Sequence, residues 1–99
     1  MKDLTNKVIV ITGASSGIGS AAALQFAERG SKVILLSRTA EKLKDVADEV
    51  SALGAEVLCI STDVSSEKSV QSAFNQIEKK FGQIDILINN AGVGFATDL

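Results

Sequence analysis

The chain has 99 residues and a formal net charge of −2, from 10 Lys and Arg against 12 Asp and Glu. This size predicts one domain over residues 1–99 with no internal boundary, and the lack of a basic cluster argues against nucleic-acid binding. One Cys and no His exclude a disulfide framework and the usual zinc sites, so no metal ligand is predicted. The short apolar runs predict no membrane span, and the N-terminal residues do not resemble a signal peptide. We therefore expect a cytoplasmic protein.

Segments that predict strands and helices alternate along the chain. In order, they are a strand over residues 8–12, a helix over 17–29, a strand over 32–37, a helix with its apolar face over 43–53, a strand over 56–62, a helix with its apolar face over 70–81 and a strand over 84–89. The strand residues are almost continuously apolar, which is typical of strands buried on both faces of a parallel sheet. Cys59 is accordingly predicted to be a small core residue.

The helix ends carry their own signals. Gly30, Gly54 and Gly82 each follow a predicted helix, at the position where a left-handed residue favours its end. Thr39 and Ser65 are the predicted N-caps of the second and third helices.

This order of elements predicts an α/β fold with a parallel sheet and right-handed crossovers. If the first two crossovers lie on one face and the third on the other, the strand order is 3-2-1-4. That arrangement is an incomplete half of a doubly wound, Rossmann-type domain. Strands 1 and 4 are then neighbours, and ligands bind in the crevice outside their carboxyl ends.

A glycine-rich loop, residues 12–19, joins strand 1 to the first helix at this point. Gly13 permits a tight exit from the strand, Gly17 lets a pyrophosphate approach the backbone, and Gly19 allows the helix to pack closely on the sheet. The alternative is a tight structural turn without a ligand. The predicted cofactor-binding residues of this loop are Gly13, Ser15, Ser16, Gly17, Ile18 and Gly19.

The end of strand 2 predicts which dinucleotide is bound. An acidic residue there would accept a hydrogen bond from the ribose 2′-hydroxyl of NAD, whereas an Arg accommodates the 2′-phosphate of NADP. This sequence has Ser37 and Arg38, so NADP is predicted and NAD is less favoured. The alternative for Arg38 is a solvated surface cation.

Residues after strands 3 and 4 complete the candidate site. Asp63 could accept a hydrogen bond from an adenine amino group while Val64 packs on the ring, or Asp63 could only favour the start of the third helix. After strand 4, small residues would keep the floor of the crevice open. The candidates there are Asn90, Ala91 and Gly92. Asn90 and the preceding Asn89 could instead serve only to bridge neighbouring backbones.

These motifs resemble the N-terminal part of a short-chain dehydrogenase/reductase. Residues 12–19 match the family's cofactor loop and residues 89–92 its second signature, while Asp63 and Val64 match its adenine contact. Arg38 resembles the NADP-preferring members, although Ser16 stands where many of those have a basic residue. The resemblance implies hydride transfer between a nicotinamide cofactor and a carbonyl or alcohol substrate.

The same resemblance places the family's catalytic Ser, Tyr-x-x-x-Lys pair and Asn beyond the second signature. This chain contains no Tyr, so no catalytic residue is predicted within it and it is expected to be inactive alone. It therefore resembles a fragment that would meet substrate only as part of a longer enzyme.

Other interpretations carry different expectations. A freestanding or engineered nucleotide-binding module would bind without catalysis, and a methyltransferase would need an acidic residue where Arg38 stands. A P-loop is excluded because no Gly-Lys-Ser/Thr follows the loop. For the chain alone, strand 4 becomes an open apolar edge, which predicts self-association.

Overall fold

The computed structural model describes residues 4–14 and 17–90. Within these residues the elements, in chain order, are β1 (Val8–Thr12), α1 (Gly17–Glu28), β2 (Lys32–Ser37), α2 (Ala40–Ala52), β3 (Val57–Ser61), α3 (Glu67–Phe81) and β4 (Ile86–Asn89). The strands form one sheet in the order β3-β2-β1-β4, and every neighbouring pair is parallel. The predicted Rossmann-type topology is confirmed.

The two central strands carry the core. All of β1 is buried, as is β2 apart from its first residue, so the prediction of burial on both faces holds for them. It is wrong for β3 and β4, which are only partly buried because each pairs with one neighbour among the described residues. Leu87 in β4 is 48% exposed.

Helices cover the sheet as the predicted strand order requires. On one face, residues of β1 and β2 pack against Ala23 and Ala27 of α1 and against Leu43 and Val50 of α2. On the other face, the alternate strand residues pack against α3, chiefly Ile77. With right-handed crossovers, two helices on one face and one on the other place β4 beside β1.

Cys59 is exposed rather than buried, so the prediction of a core residue is wrong. It lies in β3 at the edge of the described sheet, where an apolar run does not ensure burial. Partial desolvation and the nearby Asp48 carboxylate raise the pKa of its thiol. The thiolate is therefore disfavoured, as expected for an inert cysteine.

The helix ends largely follow the prediction. Gly30, Gly54 and Gly82 have φ values of 89°, 87° and 84°, which is the left-handed region. Thr39 stands at the N-cap of α2, although its side chain makes no capping hydrogen bond.

The predicted N-cap of α3 is wrong by one residue. Ser66, not Ser65, is the cap, and its hydroxyl accepts a hydrogen bond from the Ser69 N–H. Ser65 is engaged elsewhere, because its N–H and hydroxyl both donate to the Asp63 carboxylate.

β4 begins two residues later than predicted because a side chain takes part in the pairing. The Asp85 N–H donates to the Val8 carbonyl at 2.9 Å, and the Val8 N–H donates to the Asp85 carboxylate at 2.8 Å. These bonds align the start of β4 with the start of β1. The bond from Val8 is the main cause of a lowered Asp85 pKa. None of the described helices is long and apolar enough to cross a bilayer.

Candidate functional site

The glycine loop leaves β1 at the carboxyl end of the sheet. Gly13 has a φ of 64°, a backbone conformation that residues other than glycine rarely adopt, so the predicted tight exit is confirmed. The N–H of the fully buried Ala14 donates to the Leu36 carbonyl at 3.3 Å, which joins the loop to the end of β2. The predicted site residues Ser15 and Ser16 lie outside the described residues.

The lack of a side chain at Gly19 lets the first turn of α1 pack closely against Gly13, where the chain leaves β1. A Cβ atom added at Gly19 would lie 2.5 Å from the Gly13 carbonyl oxygen and 3.0 Å from Nδ2 of Asn90. The prediction that Gly19 permits close packing of the helix on the sheet is therefore confirmed.

Away from this contact, the start of α1 has few neighbours in the part of the chain that the structure describes. No described atom beyond the adjoining helix residues lies within 4 Å of a Cβ added at Gly17, and Ile18 is 74% exposed. The first N–H groups of a helix have no partners within the helix, and they form the positive end of its dipole. No acidic residue occupies the first turn of α1, so none of its own carboxylates offsets this charge. The arrangement favours an anion at this helix end.

A set of hydrogen bonds ties the loop to the end of β4. The Thr12 hydroxyl accepts from the Asn90 N–H at 2.9 Å and lies 3.1 Å from the Asn89 amide oxygen, to which it can donate. The Asn90 amide nitrogen donates to the Gly13 carbonyl at 3.1 Å. The Asn90 side chain therefore makes the bond to a neighbouring backbone that its structural interpretation predicted, whereas the Asn89 side chain bonds the Thr12 hydroxyl instead. Ala91 and Gly92 lie outside the described residues.

Thr12 was given no role of its own in the sequence interpretation. It is 7% exposed, and its partners lie more than 75 residues away in sequence. The sequence did carry one signal for a role of Thr12, which is that a polar residue ends an otherwise apolar strand. Its partners became apparent only from the pairing of Thr12 with Asn89 in the sheet.

Arg38 lies beside the glycine loop. Leu36 pairs with Thr12 in the sheet, and Arg38 follows Leu36 by two residues. The Arg38 side chain is 70% exposed, and its Nη2 lies 3.5 Å from Oδ1 of Asp63. The Ser61 hydroxyl donates to the Arg38 carbonyl at 3.2 Å, which fixes the backbone here.

Asp63 organises the turn into α3. Its Oδ1 accepts from the Ser65 N–H at 3.0 Å and from the Ser65 hydroxyl at 2.6 Å, and its own N–H donates to the Ser69 hydroxyl. The Ser65 bonds, followed by the Arg38 charge, lower the pKa of Asp63. Its predicted role at the start of the third helix is confirmed. The contact of Asp63 and the 45% exposed Val64 with adenine stays a prediction.

The parallel sheet thus brings the separate sequence motifs to one edge. Gly13, Arg38 and Asn90 follow three adjacent strands, and Asp63 follows the next strand outward. The N-terminus of α1 and the exposed Arg38 guanidinium lie at this same edge, and both are groups suited to phosphates. No group of His, Cys, Asp and Glu that could hold a metal ion occurs in the described part of the chain.

Comparisons with known proteins agree with this geometry. A family model described as short chain dehydrogenase matches residues 7–99. A CLA biosynthesis dehydrogenase/reductase of Lactiplantibacillus plantarum is 44% identical over 93 residues, which are 94% of this chain and 32% of that protein. An 11-beta-hydroxysteroid dehydrogenase A of Sesamum indicum is 40% identical over 93% of this chain and 27% of its own length.

Solved structures give the same result. An NAD+-bound xylitol dehydrogenase superposes with a TM-score of 0.89 at 38% identity, over 92% of this chain and 35% of that one. A short-chain type dehydrogenase/reductase from Mycobacterium marinum superposes with a TM-score of 0.83 at 40% identity, over 86% of this chain and 34% of that one. The chain therefore spans about a third of the length of these relatives.

Proposed function

The chain belongs to the short-chain dehydrogenase family, and we propose that it supplies the NADP(H)-binding part of an oxidoreductase. When bound, the cofactor would donate or accept hydride at a carbonyl or alcohol carbon. The 99 residues contain no Tyr, and we propose that the group exchanging the proton with substrate is supplied from outside them.

One observation carries the assignment of a dinucleotide site. The N-terminus of α1, where no described atom beyond the adjoining helix residues lies within 4 Å of a Cβ added at Gly17, stands at the same sheet edge as the exposed Arg38. The helix end fits a pyrophosphate, because its N–H groups and dipole favour an anion. The residues proposed to contact cofactor are Gly13, Ser15, Ser16, Gly17, Ile18, Gly19, Arg38, Asp63, Val64, Asn90, Ala91 and Gly92.

The preference for NADP over NAD depends on Arg38. Positions 37 and 38 hold no carboxylate, so neither residue would repel a 2′-phosphate or accept from a 2′-hydroxyl as an acidic residue does. The contact of Arg38 with Asp63 is long and in solvent, and such a contact is easily exchanged for a stronger one. Because the xylitol dehydrogenase was solved with NAD+, membership of the family leaves the choice to the local residues.

The experiment uses the full-length product of the gene that encodes these residues, here called the full-length gene product. Charge-assisted hydrogen bonds contribute about 1.5–3 kcal/mol, so Arg38→Ala should weaken NADP+ binding by roughly 10- to 150-fold and leave NAD+ binding nearly unchanged. Arg29→Ala is the matched control, because Arg29 follows the opposite end of α1. Equal losses for both cofactors would show that Arg38 does not contact the 2′-phosphate.

For the 99-residue chain alone, we propose self-association through β4. Among the described strands β4 pairs only with β1, and its Leu87 is 48% exposed. Unpaired backbone groups beside apolar side chains favour edge-to-edge pairing. Sedimentation should therefore detect species larger than a monomer, and a sharply melting monomer at high concentration would contradict the proposal.

A further inference from the structure

The ion pair between Arg38 and Asp63 lies where the proposed site would meet the cofactor's ribose. Ser37 and Ser61 are paired at the ends of β2 and β3, so the loops that follow them run side by side. Nη2 of Arg38 is 3.5 Å from Oδ1 of Asp63, and both side chains face solvent. A phosphate that approached Arg38 would therefore meet a guanidinium already next to a carboxylate.

The carboxylate is fixed in this position by the turn into α3. Ser65 donates to Oδ1 through its N–H and its hydroxyl, at 3.0 and 2.6 Å, and the Asp63 N–H donates to Ser69 at 2.9 Å. These bonds also keep the group ionised, because they favour the charged form and lower its pKa. If Asp63 moved away on cofactor binding, the hydrogen bonds that hold the turn into α3 would break.

We propose that Asp63 is a specificity-determining residue that weakens the preference for the 2′-phosphorylated cofactor created by Arg38. The fixed negative charge offsets part of the Arg38 charge and repels the phosphate. NAD has a neutral hydroxyl at this position, so its binding changes little. The inference rests on the proposed function, since it requires the 2′-phosphate to bind at Arg38.

The measurement is the ratio of the dissociation constants for NAD+ and NADP+, titrated on the full-length gene product. Any contact of Asp63 with adenine is common to both cofactors and cancels in this ratio. Asp63→Asn keeps an oxygen that can accept from Ser65, and it should raise the ratio in favour of NADP+ by about 1.5- to 5-fold, the range of exposed charge pairs. The gain should shrink in about 1 M salt, where screening is strong.

Three variants serve as controls. Asp63→Ser also removes the charge, while its hydroxyl can accept within the turn, so it serves if Asp63→Asn does not fold. Asp48→Asn removes a carboxylate that pairs with Lys44 on α2, and it should leave the ratio unchanged. In an Arg38→Ala background, Asp63→Asn should have a smaller effect than in the unmodified protein, because only the direct repulsion of the phosphate remains to be relieved.

The outcomes distinguish this inference from the proposed function on which it rests. If Arg38→Ala selectively weakens NADP+ binding but folded Asp63→Asn leaves the ratio unchanged or lowers it, the role of Asp63 is wrong and the NADP site stands. If Arg38→Ala weakens both cofactors equally, the 2′-phosphate does not bind there and both conclusions fail.

Discussion

The β1–β4 side and the β2–β3 side of the candidate site are built differently. Around β1 and β4, buried or partly buried groups such as Thr12, Gly19 and Asn90 are joined by short bonds and close backbone contacts. Around β2 and β3, Arg38 and Asp63 share one long contact in solvent. In the site that we propose, the compact side would position the pyrophosphate common to both dinucleotides. The open side would contact the ribose at which the two cofactors differ.

The largest effect should come from filling the open space at the start of α1. Gly17→Val meets no described atom within 4 Å of its Cβ, so the fold should be kept while the branched side chain blocks the pyrophosphate. We expect NADP+ and NAD+ binding to fall together, by about 100-fold or more, given the charge-assisted bonds lost. Unchanged nucleotide affinity in a folded Gly17→Val variant would make this loop a purely structural turn.

Gly19→Ala tests the packed side of the same loop. Its Cβ would lie 2.5 Å from the Gly13 carbonyl oxygen, which is backbone and must shift. Overpacking of this kind typically costs about 1–3 kcal/mol of unfolding free energy. Urea denaturation should show that loss for Gly19→Ala and little for Gly17→Ala. Equal stability of the two variants would contradict the described packing.

Thr12→Val removes the hydroxyl that joins β1 to the end of β4 and keeps the side-chain shape. The part-buried hydrogen bond from the Asn90 N–H is lost, and a typical bond of this kind contributes about 0.5–1.5 kcal/mol. Chemical denaturation should detect this loss, and cofactor binding should weaken equally for NADP+ and NAD+. Thr12→Ser, which keeps the hydroxyl, is the control. A selective loss of NADP+ binding would contradict the separation of the two sides.

Some features of the fold and of the candidate site could be predicted from the sequence, and others could not. The strand order was predicted on the condition that two crossovers lie on one face and the third on the other, and the structure meets that condition. The roles of Gly13 and Gly19 followed from their positions after a strand and in a first helical turn. The N-cap was misassigned because adjacent Ser residues offer the same chemistry, and only the Asp63 turn selects Ser66. The exposure of Cys59 depends on which strand ends the described sheet, which its apolar neighbours do not reveal.

The Thr12 contacts were missed for a related reason. Their partners lie 77 and 78 residues away, so no local spacing brings them together. Only the parallel pairing of β1 with β4 does so.

The smallest effect concerns pH, at the opposite end of the same two strands. The pKa of Asp85 is lowered in the folded chain, chiefly by the Val8 N–H. The contribution of ionised Asp85 to the free energy of unfolding is therefore complete above the unfolded pKa of about 3.9. This contribution is lost as pH falls through the lower folded pKa. Asp85→Asn should reduce the acid sensitivity of the melting temperature below about pH 4. Asp63, whose pKa is also lowered, should still make its own contribution to the acid sensitivity of this variant. An identical pH profile for Asp85→Asn would contradict this role.

Parallel titrations of the unmodified full-length gene product with NADP+ and NAD+ test the central claim most directly. The account predicts that NADP+ binds at least about 10-fold more tightly, from the charge-assisted contact of Arg38 with the 2′-phosphate. Equal or tighter binding of NAD+, or no binding of either dinucleotide, would contradict it.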